Sequence, residues 1–127
     1  MAAAATPIEE IPALVASVRA AYASGATLPY SWRRAQLQAI VRLLEENRAA
    51  IHAALAADLR KPLFEADINE VEIVVQEANH ALAHLAGWMA PQAVATPLMH
   101  LPASATMRRE PLGVALLILP WNFPFCA

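Results

Sequence analysis

The chain has 127 residues and a mass of 13.7 kDa, is 58% hydrophobic and 16% charged, and carries a formal net charge of -2. That is enough apolar material for one globular unit or part of a larger one, and it excludes a disordered tail. Nine Lys and Arg are scattered against eleven Asp and Glu, which leaves no electrostatic footprint for nucleic acid. The single Cys126 cannot form an internal disulfide, so nothing points to an oxidising compartment and a cytoplasmic location is expected. The first residues offer neither a basic region nor a leucine-rich stretch, so no leader peptide is expected. Residues 111–127 are uncharged but too few to span a bilayer, and Pro120, Asn122 and Pro124 interrupt them. No membrane segment is expected.

In chain order, Thr6, Pro7 and Glu9 fit an N-cap, a first-turn proline and a capping-box acid, opening a helix that ends at Gly25. Its apolar face would be Ile8, Ile11, Val15, Val18 and Tyr22, and Pro12 can delay its start by a turn. After Thr27-Leu28-Pro29, Ser31 can cap a second helix carrying Leu37, Ile40, Val41 and Leu44. Asn47 marks a break before a third, residues 49–59, with Ile51, Leu55 and Leu59 on one face and a stop at Lys61-Pro62. The fourth helix is the clearest: Ile68, Val71, Val75, Ala78, Leu82, Leu85 and Met89 alternate steps of three and four.

Six of the ten prolines fall between Pro91 and Pro124, so helices should stop near Met89. A loop and a short strand follow. Residues 114–119 then form an unbroken apolar run between Gly113 and Pro120, the pattern of a strand buried on both faces of a parallel sheet. Such a strand needs neighbours on both edges, and only eight residues remain after Leu119, so the chain reads as cut short.

The turn Pro120-Trp121-Asn122-Phe123-Pro124 follows that strand directly. Ligands of open α/β sheets bind at the carboxyl ends of strands, and a proline-bounded turn there can present a polar side chain. Asn122 supplies a neutral NH2 that could donate to a developing oxyanion. On spacing alone it reads first as an ordinary turn residue.

Residues 111–114, Ile118, Leu119 and the Pro-Trp-Asn-Phe-Pro turn resemble the strand and turn of the aldehyde dehydrogenase superfamily. Arg34-Ala35-Gln36-Leu37, the run from Ala54 to Lys61, and Glu70-Val71 resemble the N-terminal helices of its class 3 branch, and the likeness extends from about Ala13 to the end. The resemblance implies oxidation of an aldehyde to a carboxylic acid with NAD or NADP, through a cysteine nucleophile and a glutamate base. It implies Asn122 as oxyanion donor, Ile118, Leu119, Pro120 and Trp121 along the cofactor's path, and Phe123 on the substrate tunnel. It also implies a homodimeric, cytoplasmic whole enzyme.

The family's Gly-Gln-x-Cys and Glu-Leu-Gly-Gly segments do not occur in this chain, and Cys126 is not the nucleophile. The expected fold is therefore α/β and truncated. Residues 1–90 would be the helical N-terminal part of a cofactor-binding domain. Residues 91–127 would carry a loop, a short strand and the first strand of a Rossmann-like sheet, with the catalytic domain absent and the fragment inactive alone.

Glu77 and His80 match one Glu-x-x-His element of di-iron bundles, but no second element exists, so His80, His84, His52 and His100 are expected to hold no metal. Arg33-Arg34, Arg60-Lys61 and Arg108-Arg109 read as surface or ion-pair groups. A reading from another class is a small helical interaction module without catalysis, using the seven-residue repeat of the fourth helix to pair with a partner.

Overall fold

The computed structural model describes residues 5–126, so the leader reading of residues 1–4 lies outside the described residues. Helix α1 covers Ile11–Ala23 after a 3-10 turn at Ile8–Glu10. Thr6 is not its cap. The delay expected from Pro12 occurs: the proline sits in the first α-helical turn, where its missing N–H costs nothing. Gly25, at φ 73°, carries the chain out of the helix. None of α1 is buried, although Val15 and Tyr22 of the expected face are half-covered.

Helix α2 runs unbroken over Tyr30–Leu59, which corrects the division expected at Asn47. Asn47 is exposed, and its side-chain amide donates back to the Leu43 carbonyl at 2.8 Å. Asn lowers helix stability by only a few tenths of a kcal/mol, whereas proline breaks the ladder outright. Ser31 is not the cap either: Pro29 holds that position in extended conformation, and Ser31 falls within the first turn. The helix ends where Arg60 turns left-handed at φ 53°, its N–H bonding the Ala56 carbonyl at 3.1 Å. Lys61 follows directly on this reversal, just before Pro62.

From Leu63 the chain is helical again without interruption. Helix α3 (Leu63–Ala66) passes through a π-helical segment (Asp67–Glu72) into helix α4 (Ile73–Met89). The widened turn advances the register, so the three-and-four stripe does not hold at its start. Ile68 is turned outward, while the neighbours Glu70 and Val71 are both fully buried. Beyond the π segment the expected stripe returns: Val75, Ala78 and Leu85 are buried, and Val75 joins the core formed with α2.

The core is the seam between α2 and the helix opposite it: Leu44, Ile51, Leu55, Ala66, Val71 and Val75, flanked by Val41 and Val74. Leu55 is among the largest fully enclosed side chains. Leu55→Ala is expected to cost about 3 kcal/mol, read as a lower urea midpoint at constant m-value, because the rigid helix pair cannot collapse into the space left. A cost below about 1 kcal/mol would mean that the seam repacks freely.

After α4, strands β1 (Gln92–Val94) and β2 (Ala105–Met107) pair antiparallel, with Ala93 opposite Thr106. Residues 114–119 do not form the expected buried strand. They are without regular structure and exposed throughout, Leu116 at 85% and Ile118 at 86%. Apolar content alone cannot make a strand: the ladder needs a neighbour's N–H and C=O groups, and the described residues contain one two-stranded sheet. The architecture is thus mostly helical with a small hairpin, and no Rossmann-like sheet forms among the described residues.

Exposed apolar surface is correspondingly large. The chain presents 9989 Å² to solvent, against about 6,600 Å² for a compact monomer of this mass. Much of the excess chemistry is apolar, from Leu112 to Trp121.

Candidate functional site

Pro120 and Pro124 bound a tight turn that sets Asn122 and Phe123 against the end of α2. Asn122 is exposed and Phe123 half-buried. Together with Arg60, Lys61 and Pro62 they line an open groove of about 340 Å³. The Lys61 ammonium lies 4.1 Å from the centre of the Phe123 ring, within cation–π range.

Beneath this groove is a buried carboxylate. Glu70 is wholly enclosed and pairs with Lys61, whose side chain is itself 9% exposed. Its second oxygen, Oε2, accepts the Phe125 N–H at 3.0 Å and the Cys126 N–H at 3.2 Å. A carboxylate removed from water needs this saturation, since an unpaired buried charge is costly. One ion pair therefore reaches both sides of Pro124: Lys61 contacts Phe123 before it, and Glu70 holds the two amides after it.

Sequence reasoning placed Lys61 in an ion pair or at the surface, and the ion pair is what forms. It quoted Glu70 only as part of a motif and missed its burial. The π segment beginning at Asp67 is what turns Glu70 inward beside Val71.

The Cys126 thiol is pushed above its ordinary value of 9.0, first by burial and then by the Glu70 charge. Alkylation of Cys126 by iodoacetamide should therefore rise with pH to an inflection above that of an unhindered thiol, and Glu70→Gln should lower the inflection. An unchanged inflection in the variant would remove Glu70 as a cause. The unfolded thiol ionises first, so this contribution to stability is complete below pH 9.0 and is lost as pH rises through the folded value.

Ile118, Leu119, Pro120 and Trp121 form a continuous exposed stretch leading into the turn, with Trp121 at 86% exposure. They could cover one flat face of a dinucleotide. None of the four carries a charge that could meet a pyrophosphate.

Elsewhere, His80, His84 and Trp88 stack along the exposed side of α4, the histidine centroids 4.2 Å apart. Arg48 binds Asp67 at 2.8 Å and also Glu72, and both carboxylates raise its pKa, the hydrogen bond to Glu72 most. His52 Nε2 lies 2.9 Å from Asp67 Oδ1 but is not aligned for a hydrogen bond. No group of three or more His, Cys, Asp or Glu among the described residues could hold a metal ion. No helix among them is long and apolar enough to cross a membrane. A larger cleft, about 720 Å³, lies between Tyr22, Arg33, Trp88 and Arg109 and contains none of residues 118–123.

A helical pair with an appended hairpin, ending in an apolar segment and a Pro-Trp-Asn-Phe-Pro turn, is the class of structure at hand. The model of the aldehyde dehydrogenase family matches residues 2–127, and the chain belongs to that family. It is 42% identical over 117 residues to aldehyde dehydrogenase family 3 member I1, chloroplastic, of Arabidopsis thaliana, covering 92% of this chain and 21% of that protein. It is 43% identical over 107 residues to family 3 member B1 of Homo sapiens, covering 84% and 23%. These likenesses make it class 3-like within the family. The fold matches a substrate-bound Staphylococcus aureus AldH with a TM-score of 0.84 and 29% identity, over 94% of this chain and 26% of that one. The chain thus spans about a fifth of the length of the curated relatives it matches.

Proposed function

We propose that this chain is the N-terminal portion of an NAD(P)-dependent aldehyde dehydrogenase that oxidises aldehydes to carboxylic acids through a cysteine thiohemiacetal, the cysteine lying outside these 127 residues. The observation that carries this reading is the placement of Asn122. It stands exposed on a proline-bounded turn, beside a groove, at the end of an apolar segment in a chain of this family.

The role assigned to Asn122 is donation of a side-chain N–H to the oxyanion that forms when the thiolate attacks the carbonyl. An amide suits this because it donates while remaining neutral, so charge develops against a fixed dipole. Phe123 walls the aldehyde's approach. Ile118, Leu119, Pro120 and Trp121 cover one face of the dinucleotide, which when bound accepts the hydride.

Residues 1–90 are assigned to the helical part of the cofactor-binding domain, and residues 91–127 to the hairpin and the first strand of its Rossmann-like sheet. In this reading residues 114–119 gain their ladder from chain beyond these residues, and the large exposed apolar area is the surface so covered. The whole enzyme is assigned as a cytoplasmic homodimer. This reading is preferred to a helical interaction module because Val75, Ala78 and Leu85 of the α4 stripe are already buried and α4 packs on α2.

The test is nicotinamide reduction by the full-length protein with a medium-chain or aromatic aldehyde, run beside the 127-residue chain alone. The full-length protein should turn over and the chain should not, since it carries neither nucleophile nor base. Turnover by the chain, or none by the full-length protein, would falsify the proposal.

A further inference from the structure

We infer that the buried Lys61–Glu70 pair is a positioning device for the Asn122 amide, gripping the chain just after it, on both sides of Pro124; this rests on the oxyanion role proposed for Asn122. Asn122 is exposed, at the rim of the groove beside the end of α2. What fixes the turn is adjacent. Before Pro124, the Phe123 ring lies on the Lys61 ammonium at 4.1 Å. After it, the Phe125 and Cys126 N–H groups are both held by Glu70 Oε2.

Lys61 and Glu70 are themselves anchored. Lys61 follows the left-handed end of α2 and precedes Pro62, so its backbone is restricted on both sides. Glu70 sits in the π segment between Ala66 and Val71, both wholly enclosed. The pair joins the two halves of the helical core and hands that rigidity to a turn that has no secondary structure of its own. Neither residue needs to touch the substrate. Their effect is geometric, and displacement of a reacting group by about 1 Å is enough to cost on the order of 10²-fold in rate.

The test is a kinetic double-mutant cycle in the full-length enzyme with Glu70→Gln, Asn122→Ala and the two combined. Glu70→Gln keeps the shape and one acceptor but removes the charge that holds Lys61. The expected result is a fall in kcat of about 10- to 100-fold, with KM for the aldehyde little changed. In the Asn122→Ala background the same substitution should cause no further loss, because the group it positions is gone.

A merely structural role would not give that result: its loss would recur in both backgrounds and track thermal stability. If Glu70→Gln does not fold, Lys61→Arg replaces it, keeping the positive charge while displacing the Phe123 contact, with the same non-additivity expected. Equal losses in both backgrounds, or an unchanged kcat, overturn the positioning role while leaving the oxyanion role intact. If Asn122→Ala itself retains full kcat, the oxyanion role fails first and the positioning role with it.

Discussion

In the full-length enzyme, Asn122→Ala is expected to lower kcat by about 10²- to 10³-fold, the cost of removing one preorganised oxyanion donor. KM should move much less, because the carbonyl oxygen of the ground state carries little charge and profits little from the amide. Two features of the structure support a large and specific effect. Asn122 is exposed and outside the core, so its truncation leaves no cavity and no buried group without a partner. The turn is bounded by Pro120 and Pro124, so its backbone should keep its path when the side chain is shortened. Asn122→Asp sharpens the test. The carboxylate has nearly the same shape but no donor when ionised and places negative charge where negative charge develops, so it should be at least as slow as the alanine variant. If Asn122→Asp retained more than about a tenth of the rate, the amide could not be acting as a donor.

The sequence revealed some of this structure and hid the rest, for physical reasons that differ by element. The α4 stripe was legible because Val75, Ala78 and Leu85 follow the ordinary helical period and are buried as that period requires. The continuity of α2 was not, since Asn47 is a residue type that favours turns and yet is tolerated on an exposed helical position, bonding back to Leu43. The π segment leaves no compositional trace. It breaks the three-and-four rule at Ile68, and only the structure shows that Glu70 and Val71 are buried side by side.

The turn holding Asn122 was legible as a motif through resemblance, but the means of holding it was not. A glutamate in an apolar helix normally reads as a solvated face. Glu70 gains its burial from partners nine, 55 and 56 residues away, and spacing rules carry no information over such separations. The run from residue 114 to 119 shows the converse. Its composition states how it would like to be buried, while in this chain it is without regular structure and exposed.

Glu70→Leu should be among the most destabilising single substitutions in the helical core, at about 3–5 kcal/mol, the usual cost of stripping one partner from a buried ion pair. Lys61 has no second carboxylate partner among the described residues, and its side chain is 9% exposed, so the ammonium would be stranded where water reaches it poorly. The reverse substitution, Lys61→Met, should cost less, since Glu70 retains two backbone donors at 3.0 and 3.2 Å. Removing both together separates attraction from desolvation. In Lys61→Met with Glu70→Leu no charge is left in the interior, and the double variant should be clearly more stable than the sum of the two losses, as buried pairs replaced by apolar groups usually are. What it cannot restore is the hold on residues 125 and 126. Their amides would turn to solvent, and hydrogen exchange at Phe125 and Cys126 should accelerate to that of an unprotected chain even where global stability is recovered. Additive losses in the cycle would mean that the two residues do not act as a pair. Persistent protection at Phe125 and Cys126 would mean that something other than Glu70 holds the segment after the turn.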